Sequence, residues 1–167
     1  AHEKKIVHRD IKPANLMITG AGSKQLVTIM DFGLALLADR SKLTRLDETM
    51  GTVTYMSPEQ TTEERVDQRS DIWSLGVVLY QMLSAKLPFN GKFDAAIVYA
   101  VLHEEPVPLN DVAPDVAPGL DAVVRCALSK SRRGRYQAVS EMSRALRDLG
   151  MRADVTTRVR ERVTGPV

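Results

Sequence analysis

Residues 6–18 read IVHRDIKPANLMI. Two apolar runs, Ile6-Val7 and Leu16-Met17-Ile18, predict short buried segments. Between them stand His8, Arg9, Asp10, Lys12 and Asn15, a concentration of polar chemistry that a plain connection does not need. Asp10 is suited to take a proton from an attacking hydroxyl. Lys12, two residues on, can neutralise charge that develops on a transferred group. Asn15 offers an amide oxygen of the kind a hard cation such as Mg²⁺ prefers. Sixteen residues past Asn15, the stretch MDFGLA adds a carboxylate, Asp31, followed by Gly33. Two oxygen donors at neighbouring strand ends are compatible with a metal–phosphate site.

Outward from that turn, LMI and LVTIM read as two short strands joined through TGAGSKQ. Residues 34–57 carry no sustained period and are rich in Thr, Asp, Arg and Lys. Loops of this length in compact domains are usually functional. From residue 58 the pattern is helical. RSDIWSLGVVLYQMLSA is apolar nearly all round, which predicts a central helix with Ser70 or Asp71 as N-cap. FDAAIVYAVLHEE predicts a helix that stops before Pro106. PGLDAVVRCALSK predicts one that buries Leu120, Val123, Val124 and Leu128. AVSEMSRALRDLG predicts a last helix ended by Gly150. Residues 151–167 are polar and Arg-rich and read as a tail or linker.

The chain's 167 residues suffice for one domain, and its 44% hydrophobic content is ordinary for a globular protein. Lys plus Arg exceed Asp plus Glu by 23 − 21 = 2, so no strong field points to nucleic acid. Cys126 is alone, which excludes an internal disulfide framework and predicts a small buried apolar residue in a reducing compartment. No apolar run reaches the roughly 18 residues a membrane span needs. A cytoplasmic chain, or the cytoplasmic part of a membrane-anchored parent, is the expected setting.

Taken singly these motifs are weak. In order, HRDIKPAN, DFG, GTVTYMSPE and DIWSLG, with 17 residues between Gly33 and Gly51, they resemble the eukaryotic-type protein kinase family. Lys12 within HRDIKPAN and Thr52 within GTVTYMSPEQ resemble its serine/threonine branch. YMSPEQ and RSDIWSLGVVLYQML are similar to bacterial serine/threonine kinases. The resemblance covers residues 2 to about 150 and departs mildly at Ser57, where the family's usual APE is SPE.

The resemblance implies a mainly α, α+β fold: the C-terminal lobe of a protein kinase, residues 1–150, with a short β-hairpin at the catalytic site. It implies ATP and Mg²⁺ as cofactors and a protein with a Ser or Thr acceptor as partner. It makes Asp10 the catalytic base and places Lys12 on the transferring phosphate. Asn15 and Asp31 would hold Mg²⁺. Met17 would floor the adenine, and His8 and Phe32 would stack in a supporting spine. Thr52 would join Asp10 and Lys12, Glu59 would pair with Arg135, and Asp71 would hold the backbone around His8 and Arg9. Arg9 would receive a phosphate carried by the loop, at Thr44 first and Thr49 second.

The family also uses a Gly-rich loop, a strand Lys and a helix Glu, and residues 1–167 contain none of them. Gly20-Ala21-Gly22 lies after the catalytic turn and reads as a hairpin turn instead. AHEKK reads like the last turn of a helix. The expectation is a C-terminal lobe lacking its N-terminal lobe, inactive by itself, from a parent that is a phosphotransferase. The alternative is a non-catalytic remnant that binds a protein partner.

Overall fold

The computed structural model describes residue 2 and residues 6–22, 25–30, 53–62 and 64–150. Two antiparallel strands, β1 (Leu16–Thr19) and β2 (Leu26–Ile29), form a hairpin that pairs Leu16 with Ile29 and Thr19 with Leu26. Gly20 and Gly22, at φ 86° and 57°, supply the left-handed backbone of its turn. Among the described residues six α-helices follow: α1 (Pro58–Thr61), α2 (Gln68–Ser84), α3 (Asp94–His103), α4 (Leu109–Val112), α5 (Pro118–Ala127) and α6 (Val139–Asp148). Helix content thus far exceeds strand content, as expected. Gly150 ends α6 at φ 72°, also as expected. Among the described residues, no helix is long and apolar enough to cross a membrane.

The core is built around α2. One face carries Trp73, Val77 and Tyr80, at helical spacing, against Phe89, Ala100, Val101, Leu109, Val124 and Leu128. The other face places Ile72 with Val123, Ala127 and Met142. Leu120, Val123, Val124 and Leu128 are all buried, as the periodicity of α5 predicts. Gly76 lets α2 approach α5 closely: a Cβ there would lie 2.8 Å from the Ala127 methyl.

A cation sits inside this apolar assembly. The Trp73 and Phe89 rings stack 5.5 Å apart, and the Lys130 ammonium lies 3.9 Å from the Phe89 centroid and 5.2 Å from that of Trp73. It donates to the carbonyls of Ala100 (3.2 Å) and Val101 (2.7 Å), near the C-terminal end of α3. Burial pushes its pKa down to about 8, against a smaller upward pull from Glu105 and Glu104.

Three expectations are corrected. The N-cap of α2 is Asp67, whose carboxylate accepts the Arg69 backbone N–H at 2.9 Å. Ser70 and Asp71 already lie inside the helix, and their side chains are engaged elsewhere. The apolar flanks of the opening stretch are not buried: Ile6 is 39%, Met17 42% and Ile18 62% exposed. Among the described residues the hairpin is two strands wide, so it covers little of its own apolar surface. Cys126 is half-buried, its thiol 3.6 Å from the Gly134 carbonyl.

Candidate active site

Burial in the opening stretch departs from what hydropathy suggests at its polar residues and its flanks. His8 (2% exposed) and Asn15 (6%) are buried beside Ile11, while Ile6, Met17 and Ile18 are exposed. Each buried polar group has partners, as burial demands. His8 Nε2 donates to the Met30 carbonyl at 2.9 Å, and its Nδ1 accepts the Asp10 backbone N–H at 3.3 Å. One imidazole tautomer, protonated on Nε2, satisfies both contacts. Asn15 donates through Nδ2 to the Asp10 carbonyl (2.8 Å) and to Asp10 Oδ2 (2.9 Å). The donating amide nitrogen identifies the orientation of the group, so its oxygen is the atom not engaged with Asp10.

The Asp10 carboxylate is therefore held from both sides. Oδ2 accepts from Asn15, and Oδ1 lies 3.0 Å from the Lys12 ammonium. Its side chain remains 40% exposed, open to a reacting partner. Pro13–Asn15 form a short 3₁₀ turn that leads directly into β1. The Met30 N–H, just past β2, donates to the Asn15 carbonyl at 2.8 Å. Met30, the residue before Asp31, is thereby tied to the turn through both its N–H and its carbonyl.

Backbone strain lies at the centre of this turn. Arg9 adopts φ 68°, a left-handed conformation that costs a non-glycine residue roughly 1–2 kcal/mol. Neighbours hold it there. Asp71 Oδ1 accepts the Arg9 N–H at 2.8 Å, and Oδ2 accepts the His8 N–H at 2.9 Å. Gln60 Nε2 donates to the Arg9 carbonyl at 2.8 Å. Asp71 is 1% exposed and sits in the first turn of α2, where the helix dipole favours its charge.

A buried ion pair joins Glu59 to Arg135. Arg135 Nη1 and Nη2 meet the two Glu59 oxygens at 2.8 and 2.9 Å. Ser70 also donates to Glu59, and Arg135 makes further bonds to the carbonyls of Ser129 (2.8 Å), Arg69 (3.2 Å) and Lys130 (3.2 Å). Burial alone would raise the Glu59 pKa. The Arg135 and Ser70 hydrogen bonds and the Arg135 charge outweigh it and hold the carboxyl below its ordinary 4.5. The segment just before α1 is fixed to α2 as well: Ser74 donates to the Tyr55 carbonyl and Tyr55 to Gln81, both at 2.8 Å.

The structure thus brings His8, Arg9, Asp10, Lys12, Asn15 and Asp71 into one network and joins Glu59 to Arg135. Met17 lies on β1, 42% exposed. Asp31, Phe32, Gly33, Thr44, Thr49 and Thr52 lie outside the described residues. Two network members escape the motif reading. His2 Nε2 donates to Asp71 Oδ2 at 2.8 Å, and nothing local in AHEKK announces that bond. Gln60 had a signal, because SPEQ fits the S-x-x-Q capping pattern; its carbonyl oxygen accepts the Ser57 N–H and hydroxyl, both at 3.1 Å.

Comparison with known proteins shows the family. Residues 1–149 match the family described as protein kinase domain. The chain belongs to that family. It is similar to serine/threonine-protein kinase PknB of Mycolicibacterium smegmatis, at 46% identity over 85% of this chain and 23% of the relative. With PknB of Mycobacterium leprae the identity is 41% over 85% of this chain and 22% of the relative. With a probable serine/threonine-protein kinase of Corynebacterium efficiens it is 40% over 92% and 24%. The chain therefore spans about a quarter or less of the length of these kinases. Protein kinases as a family use ATP and Mg²⁺.

Proposed function

We propose that residues 1–150 are the C-terminal lobe of a serine/threonine protein kinase. The lobe works with ATP-binding elements of the family that residues 1–167 do not contain, and these residues alone transfer no phosphate. The observation that carries the reading is the Asp10 carboxylate, half-open to solvent and held between Lys12 and Asn15 on a strained, cross-linked backbone. Such positioning is most of what this chemistry asks of a protein.

In the reaction, the substrate hydroxyl approaches Asp10, which orients it and accepts its proton. The hydroxyl oxygen bonds to the γ-phosphorus as the bond from phosphorus to the β–γ bridging oxygen breaks, and ADP leaves. Lys12 offsets the charge on the transferring group. Thr52 would join Asp10 and Lys12 and shape the acceptor pocket, and Met17 would floor the adenine. Oxygen donors suit a hard cation, and Asn15, with its amide oxygen turned from Asp10, fits that role together with Asp31. Mg²⁺ held there would neutralise phosphate charge. His8 and Phe32 support the arrangement, with His8 holding the Met30 carbonyl.

The loop through Thr44 and Thr49 is regulatory on this reading. A phosphate on Thr44 first, and Thr49 second, pairs with Arg9. The partner is a protein bearing Ser or Thr, and the chain works in the cytoplasm, by itself or as the cytoplasmic part of a membrane-anchored parent. Residues 151–167 would serve as a tail or linker.

The test is Asp10→Asn in the whole kinase-domain protein that contains this chain. The expected result is a fall in kcat of about 10²–10⁴-fold with ATP binding retained. An unchanged kcat overturns the assignment.

A further inference from the structure

An arginine-lined cavity opens between the N-terminal end of α2 and the 3₁₀ turn Arg132–Gly134. Its volume is about 490 Å³, within the range of ligand sites. Arg65, Asp67, Arg69, Ser131, Arg132 and Arg133 line it, so four guanidinium groups meet one carboxylate. That carboxylate is already engaged. Asp67 accepts Arg69 Nε at 2.9 Å and Nη2 at 2.6 Å as well as the Arg69 backbone N–H. The hydrogen bonds from Arg69 hold its pKa below the ordinary carboxylate value.

Arg132 has a different kind of partner. Its Nη1 donates to the neutral carbonyl of Arg65 at 2.6 Å, which positions the guanidinium without cancelling its charge. Its acidic contacts are longer: 3.4 Å to Glu64, which is 60% exposed, and 3.7 Å to Asp67. Arg65 and Arg133 are exposed and make no ion pair among the described residues.

The walls are braced. Gln68 donates to the Gln137 carbonyl at 2.6 Å, Arg69 to the Gln137 side-chain oxygen at 3.0 Å, and Gln137 to the Arg135 carbonyl at 2.7 Å. A concave, preorganised site with excess guanidinium charge selects a compact anion with several acceptor oxygens. A phosphoryl group offers three such oxygens and about −1.5 to −2 charges, and Arg meets it bidentately.

We propose that this cavity is a docking site for a phosphorylated Ser or Thr on a protein segment, separate from the catalytic turn. The choice of a protein-borne phosphoryl group rests on the kinase reading, since phosphoprotein is that reaction's product. The site is also wired to the fold behind the catalytic turn, because the Arg69 carbonyl accepts from Arg135, the partner of Glu59.

The experiment measures fluorescence anisotropy of a labelled Gly/Ala peptide carrying one phosphoserine, and of its unphosphorylated twin, on the whole kinase-domain protein without ATP. The phosphopeptide is expected to bind at least about tenfold more tightly than the twin. Arg65→Gln with Arg133→Gln removes that difference and leaves transfer to a generic peptide unchanged. Equal binding of the twins, a difference that survives the double substitution, or binding confined to phosphatidylserine vesicles overturns the proposal. The measurement needs no transfer. A failed kinase assay beside Arg65-dependent phosphopeptide binding therefore condemns the kinase reading alone, and the converse condemns the docking site alone.

Discussion

The Asp71 carboxylate and the Arg9 backbone N–H lie 62 residues apart in sequence and 2.8 Å apart in space. That bond, with its neighbour to the His8 N–H at 2.9 Å, holds the turn that presents Asp10. Asp71→Ala removes the acceptor for both N–H groups and for His2. Each buried donor left unsatisfied costs about 1–3 kcal/mol. The expected outcome is a loss of several kcal/mol in urea unfolding, with kcat reduced in any variant that still folds. A loss within experimental error would mean that water replaces the carboxylate at no cost.

Glu59 and Arg135 give a second prediction. Removing either partner leaves a buried, uncompensated charge, and about 3–5 kcal/mol should be lost in Arg135→Ala. The Glu59 pKa lies below its ordinary 4.5 in the folded protein. Its contribution to stability is therefore full above 4.5 and declines as pH falls through the lower, folded-state value. Glu59→Gln should be less stable at neutral pH and show a flatter acid limb, measured by urea midpoints at successive pH values.

Lys130 behaves in the opposite sense. Its pKa is lowered from 10.5 to about 8, so above pH 8 the unfolded chain holds a proton that the folded chain has released. Stability from this group therefore rises with pH from about 8 toward 10.5. Tyr136, which burial pushes up to about 12, works against stability above its ordinary 10, so the clear window is pH 8–10. Lys130→Met should remove the rise within that window. An unchanged slope would show that another group produces it.

Ala85 caps α2 in a left-handed conformation at φ 56°, its N–H bonded to the Gln81 carbonyl at 2.8 Å. This is the position where helices commonly place glycine. Ala85→Gly relieves about 1–2 kcal/mol of strain against about 0.5–1 kcal/mol of added chain entropy. A net gain of up to about 1.5 kcal/mol is expected as a higher Tm, with no change in activity. A lower Tm would refute the strain argument.

Sequence order reveals much of this site because its chemistry depends on residue types that few other contexts require together. His8, Asp10, Lys12 and Asn15 are legible as a set, and the helices are legible from periodicity. Burial at the turn is not. Hydropathy places Ile18 inside and His8 outside, whereas the backbone turns the imidazole inward, toward the Met30 carbonyl. The α2 N-cap is misread for a similar reason. Ser70, Asp71 and Asp67 are all competent caps, and what separates them is tertiary: Ser70 is committed to Glu59 and Asp71 to the turn. His2 shows the limit most clearly, since its partner lies 69 residues away.

The long-range ties also overlap. His8 reaches forward 63 residues to Asp71, and Glu59 reaches 76 residues to Arg135, so the second span begins before the first has closed. On the ribosome, synthesis proceeds at about 5–20 residues per second. The turn bearing Asp10 therefore emerges several seconds before Asp71 can hold it, and several more before Arg135 secures Glu59. During that interval Arg9 has no reason to remain left-handed. The nascent chain carries every polar residue of the turn without its geometry, and the arrangement is completed only when Asp71 and then Arg135 are made.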